Sequence, residues 1–241
     1  SMNDGDPCTI VNFNGKEYVC SLTMRLQAEH FMFRAKQLMD AGCQLSVHGS
    51  GLLPDMFHTP KLSEREKYRQ MWRFTESREI SPGEIAADKF LEIVKPEGTI
   101  GDFGCGTGRG GNRIHKLTNL PVTLVDFANN CLDSWVELPF VEADLSEFIP
   151  VQVEYGFCSD VMEHIPPEQI DNVIENIMAS SPRTFFQICL CHDHCGSMIG
   201  QTLHLSVNSF SWWKERFKSL GYSVVWSENL GTDGQYYIST T

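Results

Sequence analysis

The chain has no long apolar run. No stretch of its 241 residues approaches the roughly 18 that a membrane-spanning helix needs, so no membrane crossing is expected. Positive charge is scarce as well: 19 Lys and Arg stand against 31 Asp and Glu, a net charge of −12. An extended nucleic-acid surface needs a basic face, so none is expected, although a small local basic patch stays open. Signal-peptide features are missing, and Ser1-Met2 reads as a cleavage scar outside the fold. Nine cysteines are present, an odd and scattered set: Cys8, Cys20, Cys43, Cys105, Cys131, Cys158, Cys189, Cys191 and Cys195. No disulfide framework fits them, which points to a reducing, cytoplasmic setting. Residues 189–195, CLCHDHC, suggest zinc at first sight, but the paired C-x-x-C spacing is missing and Cys189 and Cys191 alternate with Leu190 as in a strand. No metal is expected there.

What the chain does have is concentrated in Thr99–Gly111, TIGDFGCGTGRGG. A short apolar strand carries Asp102, glycines follow at 104, 106, 108, 110 and 111, and a helix begins near Asn112. Such a loop turns sharply and lets a ligand lie against main-chain amides. Gly106, Gly108 and Gly111 also satisfy the G-x-G-x-x-G dinucleotide fingerprint, a weak signal when it stands alone.

The flanking sequence supplies the frame. Residues 9–20 alternate around Asn14-Gly15 as a hairpin, and a helix is expected over Leu22–Asp40, followed by a Gly- and Pro-bearing linker over 43–62. Residues 1–60 thus form an N-terminal hairpin–helix extension, and 61–241 the main domain. Ser63 with Glu66 makes a capping box for a helix to about Arg73, and Ser81-Pro82 starts another that ends before Pro96. Tyr68, Arg69, Trp72, Arg73 and Arg78 crowd the first of these segments, as in an amphipathic surface helix or a lid over a ligand. From residue 98 strands alternate with helices: strands at 99–103, 122–126, 140–143, 155–159, 184–190, 223–227 and 235–239, helices at 111–118, 128–136, 167–180 and 207–220. This is an α/β, doubly wound parallel sheet. The last two strands stand close together around Asp233-Gly234, so the last should run antiparallel.

Electrostatics bears on the ligand. Asp102 at the glycine loop would repel a pyrophosphate and attract the cationic methionine part of S-adenosyl-L-methionine. Asp126 ends the second strand, 24 positions on, where a carboxylate can accept ribose hydroxyls. Asp144-Leu145 follows the third strand, suited to an adenine amino group and ring face, and Ser159-Asp160 ends the fourth. Single aspartates in such places are commonly turn residues. Four at successive strand ends point to a ligand site.

GDFGCGTGRG, LVDFANN, VEADL and SDVMEHIPPEQI resemble the successive motifs of class I S-adenosylmethionine-dependent methyltransferases, over about residues 80–240. YRQMWRFTESREISPGE with HLSVNSFSWW looks like a branch met in phage genomes. The resemblance implies a seven-stranded Rossmann-like sheet. It implies that Asp102, Gly104, Cys105 and Gly106 hold the methionine part, Asp126 and Phe127 the ribose, and Asp144 with Leu145 the adenine, with Ser159 beside the reacting centre. Asp160, Glu163 and His164 near the fourth strand, and His204 in GQTLHLSV, are candidate bases, although His164 also suits a cap and His204 a packed loop position. Neither an Asp-Pro-Pro-Tyr or Asn-Pro-Pro-Tyr sequence nor a Pro-Cys nucleophile follows the fourth strand, as nucleic-acid-directed relatives would have. The expected acceptor is a small molecule or nucleotide. A macromolecular acceptor, a non-catalytic nucleotide-binding protein and a nicotinamide enzyme remain alternatives, and the oligomeric state stays open.

Overall fold

The computed structural model describes residues 8–13, 16–21, 62–74, 79, 81–193, 196 and 201–240. The expected helix over 22–40, the linker to residue 61, the Asn14-Gly15 turn, Arg78, His194 and Cys195 lie outside them. The chain divides into two compact units, Ser1–Lys67 with His194–Thr202, and Tyr68–Asp193 with Leu203–Thr241.

In the first unit, β1 (Cys8–Phe13) pairs antiparallel with β2 (Lys16–Ser21), and Phe13 stands opposite Lys16. Helix α1 (Glu64–Met71) begins in this unit and ends in the second; it starts from the expected capping box, the Ser63 amide donating to Glu66 Oε2 at 3.0 Å and the Glu66 amide to Ser63 Oγ at 3.4 Å.

The second unit is built on a seven-stranded sheet. Its strands are β3 (Ile100–Phe103), β4 (Val122–Asp126), β5 (Phe140–Glu142), β6 (Tyr155–Ser159), β7 (Arg183–Cys189), β8 (Ser223–Asn229) and β9 (Asp233–Ser239). Their order is β5-β4-β3-β6-β7-β9-β8. The first five are parallel, and β9 runs antiparallel to both β7 and β8. Helices α2 (Pro82–Val94), α3 (Arg109–Thr118), α4 (Ile170–Ser180) and α5 (Phe210–Ser219) complete the unit. Strand neighbours face opposite ways, as the pleat requires. Leu124, Phe157 and Phe185 enter one core with Phe90 of α2 and Ile114 of α3. Val125, Cys158 and Phe186 enter another with Ile174 of α4 and Trp213 of α5. Both faces are therefore dry, and the strands read as continuous apolar runs.

Three local expectations are corrected. Residues 128–136 form turns instead of a helix: Asn129, Asn130, Asp133 and Ser134 favour turns, and Arg109 Nε ties the segment down by donating to Asp133 Oδ2 at 2.6 Å. The closing hairpin turns at Leu230–Thr232, where the Leu230 amide donates to the Asp233 carbonyl and Gly231 has φ +87°, so Asp233-Gly234 lies inside β9. Ser81 precedes Pro82 as expected, but its hydroxyl makes no cap bond.

The strand order reverses between β3 and β6. A crevice opens at the carboxyl ends of strands at such a switch point. The glycine loop and Ser159-Asp160 both lie there.

Candidate active site

The glycine loop folds back on the sheet. The Gly104 and Cys105 amides both donate to the Val125 carbonyl, at 2.8 and 3.0 Å. Gly104 has φ +74°, and a Cβ there would stand 2.5 Å from Val161 Cγ2, so no side chain fits. Asp102 is 3% exposed, and its Oδ2 accepts the Gly111 amide at 2.8 Å. Burial pushes its carboxyl up to about 7, against the Gly111 bond and with help from the neighbouring Asp126 charge. Asp126 accepts the Gly106 amide on Oδ2 at 3.0 Å and the Ala128 amide on Oδ1 at 2.9 Å. Its carboxyl is pushed up to about 6, again by burial. Neither carboxylate has a cationic side-chain partner among the described residues. Cys105 and Cys131 bring their sulfurs close to Asp126, and burial raises the Cys105 thiol well above its usual value.

Asp144 plays a visible structural part: its Oδ1 accepts the Ser146 amide at 2.9 Å and hydroxyl at 2.7 Å. Its Oδ2 makes no hydrogen bond to the described residues. Leu145 is buried in the core. Ser159 ends β6 with a buried hydroxyl that has no hydrogen-bond partner among the described residues.

At the β6 end a second cluster gathers. Asp160 adopts φ +60°, a left-handed conformation that Asp tolerates, and its amide donates to the Gln187 carbonyl at 2.9 Å. A short 3₁₀ turn, Met162–His164, follows. The irregular segment at 203–206 is laced to it: the Leu205 and Ser206 amides donate to the Glu163 carbonyl at 2.8 and 2.9 Å. This lacing brings His204 against His164, with ring centroids 4.6 Å apart and planes at 90°. His164 Nδ1 donates to the Leu203 carbonyl at 3.3 Å and His204 Nδ1 to the Cys191 carbonyl at 2.7 Å, so neither bond uses Nε2. Desolvation holds His164 down to about 4, overcoming the opposing pull of Asp160. Glu163 is fully buried; its Oε1 accepts the Cys189 amide at 3.0 Å, and burial raises its carboxyl well above the usual range. The same burial pushes Cys189 up to about 12.

Residues 68–72 link the two ends. The Tyr68 ring stands 5.6 Å from Phe127 and 5.6 Å from His164. The Trp72 ring packs so that a Cβ on Gly106 would be 3.2 Å from it. Arg69 meets Glu142 at 3.5 Å, and its carbonyl accepts Asn130 Nδ2 at 3.0 Å. The aromatic cluster thus packs on residues of the glycine loop and of the β4 and β6 ends. The arginine, however, meets a protein carboxylate.

The structure thus brings Asp102, Gly104, Cys105, Gly106, Asp126 and Phe127 together at β3 and β4, and Ser159, Asp160, His164 and His204 together at β6. Asp144 and Leu145 follow β5, next to β4 in the sheet. Sequence reading missed Cys131 beside Cys105 and Cys189 beside Glu163, because both contacts join residues distant in the chain.

No protein-family model matches the chain, and the search of curated proteins returns no match. Solved structures do match. Magnesium protoporphyrin IX methyltransferase from Synechocystis PCC 6803 with bound SAH aligns at TM-score 0.53 and 13% identity, covering 73% of this chain and 93% of that one. The DhpI–SAH complex aligns at 0.55 and 17%, with the same coverage. The plantazolicin methyltransferase BpumL with SAH aligns at 0.52 and 10%, covering 73% and 94%. What this chain shares with these methyltransferases is their fold, a seven-stranded Rossmann-like sheet whose last strand runs antiparallel.

Proposed function

We propose that the chain is an S-adenosyl-L-methionine-dependent methyltransferase acting on a small-molecule or nucleotide-sized acceptor, with residues 61–241 as its methyltransferase domain. The observation that carries the reading is the pair of buried carboxylates, Asp102 and Asp126, raised in pKa and lacking a cationic partner beside a glycine loop at the switch point. A buried negative site of this kind suits a cation and disfavours a diphosphate. The orphaned Ser159 hydroxyl fits a polar ligand beside it. The neighbours that carry SAH support the same assignment, and the resemblance of YRQMWRFTESREISPGE to a phage-type branch adds to it.

When bound, S-adenosyl-L-methionine supplies a methyl group already activated on a sulfonium. Asp102 holds negative potential where the methionine part lies, and Gly104, Cys105 and Gly106 allow close approach there. Asp126 offers its remaining lone pairs to the ribose hydroxyls beside Phe127, and Asp144 Oδ2 with Leu145 faces the adenine. Tyr68 and Trp72 exclude water, which matters because alignment and dryness are most of what such a displacement needs from the protein. Asp160, His164 and His204 face the acceptor, where a carboxylate or an imidazole Nε2 can orient it or take its proton.

Calorimetric titration with S-adenosyl-L-methionine, SAH and NAD tests the cofactor assignment: binding of the first two is expected, and binding of NAD alone would overturn it. Transfer of labelled methyl groups onto extract fractionated by size tests the acceptor class, with label expected in the small fraction.

A further inference from the structure

We propose that Glu163, His164 and His204 form a binding site for a divalent transition-metal ion at the carboxyl end of β6. One carboxylate oxygen of Glu163 and one ring nitrogen from each histidine lie within 4.8 Å of one another. Ligands about 2.1 Å from a tetrahedral zinc ion stand about 3.4 Å apart, so the group is at most about 1.4 Å wider than a filled site.

Further features of the chain point to a ligand. Glu163 is 0% exposed, its Oε2 meets no hydrogen-bond donor among the described residues, and the Asp160 carboxylate stands against the same side chain, two acids crowded together with no cation between them among the described residues. Its other oxygen is anchored by the Cys189 amide at 3.0 Å, which holds the carboxylate in place. Both imidazoles are held through Nδ1 by backbone carbonyls, Leu203 for His164 and Cys191 for His204. Metal-binding histidines almost always donate their second N–H in this way, which fixes the ring and leaves Nε2 to the metal. The Glu163 carbonyl in turn receives the Leu205 and Ser206 amides, so the backbone that carries the carboxylate also carries the segment that delivers His204.

The donor set decides the ion. Two imidazoles and one carboxylate suit Zn²⁺, Mn²⁺, Fe²⁺ or Co²⁺, whereas Mg²⁺ and Ca²⁺ prefer oxygen ligands. Three protein ligands leave positions open, and Asp160, close to Glu163 and Cys189, adds a carboxylate at the edge. The candidate group at the glycine loop, Cys105, Asp126 and Cys131, differs in that both Asp126 oxygens already accept backbone amides. Resting on the methyltransferase reading, the open positions would take an acceptor oxygen, which makes a hydroxyl-bearing acceptor the favoured class.

The test uses the whole chain, stripped with EDTA and titrated with Co²⁺ by visible absorption and calorimetry. One equivalent with a d–d band is expected. His204→Ala should weaken Co²⁺ binding by at least about tenfold, the effect that even an outer-shell partner exerts, and Glu163→Gln should do the same. His192→Ala, an exposed neighbour outside the cluster, should leave binding unchanged. Far-UV circular dichroism and melting of the metal-free variants show whether they are folded, and His204→Ala is the deciding variant if Glu163→Gln is not. Absence of Co²⁺ binding, or equal binding by wild type and folded His204→Ala, overturns the metal site. A stripped chain that binds S-adenosyl-L-methionine but not Co²⁺ loses only the metal site. One that binds Co²⁺ but not S-adenosyl-L-methionine keeps the metal site and loses the methyl-transfer reading.

Discussion

Replacing Asp102 by Asn should make the ligand-free protein more stable and a poorer binder of the methyl donor. Asp102 is 3% exposed and its carboxyl is pushed from an ordinary 3.8 up to about 7, chiefly by desolvation. The folded state therefore holds a proton between about pH 4 and 7 that the unfolded chain has released, so stability falls as pH rises through that window. At about 1.4 kcal/mol per pH unit, keeping the charge buried costs about 4 kcal/mol above about pH 7. Asn keeps an oxygen for the Gly111 amide, which Asp102 Oδ2 now accepts at 2.8 Å. It also brings N–H donors whose burial costs about 1–3 kcal/mol if unmet, so a net gain of about 1–3 kcal/mol is expected near pH 8. Near pH 4 that advantage should all but vanish, because the folded wild-type group is then protonated and no charge is left buried, while the unfolded one is only about half ionised. Urea unfolding followed by tryptophan fluorescence across this range measures the difference directly. A difference that does not grow with pH, or a variant less stable than wild type near pH 8, would refute the buried-charge argument. In parallel, calorimetry should show weaker S-adenosyl-L-methionine binding, because the negative potential is gone.

Asp126→Ala should weaken S-adenosyl-L-methionine binding by about 1–3 kcal/mol, since hydroxyls and the Gly106 amide lose their acceptor; unchanged affinity in calorimetry would remove Asp126 from the ribose site. Gly104→Ala should destabilise the fold by about 2 kcal/mol or more, because it combines φ +74° with a Cβ 2.5 Å from Val161; a melting temperature equal to wild type would show that the loop moves freely. His204→Ala should cut turnover while leaving cofactor affinity within about threefold, because its ring sits against His164 at the end of β6; equal losses in both, read from kinetics beside calorimetry, would place it at the cofactor.

Much of this protein is readable along the chain. The β3 strand and the glycine loop follow from TIGDFGCGTGRGG, since alternate glycines after an apolar strand admit few conformations, whereas α3 starts at Arg109, three residues ahead of the expected Asn112. Strand spacing fixes the alternation of layers, and the short span between β8 and β9 fixes the antiparallel close. Segments whose state depends on packing are less legible: ANNCLDSWV reads as a short helix, yet folds as turns held by Arg109 and Asp133.

Only the tertiary structure decides which functional groups meet and in what state. His164 and His204 are 40 positions apart, and nothing local in either segment implies that the Glu163 carbonyl laces them together. Tyr68 reaches both Phe127 and His164 because the fold lays it there. Above all, an aspartate in a sequence is simply an acid of ordinary strength. Asp102 and Asp126 become near-neutral titrating groups because the fold strips their water and returns only a few amide bonds. Desolvation depends on everything packed around a group, which is why it belongs to the folded molecule and cannot be read from neighbours in the chain.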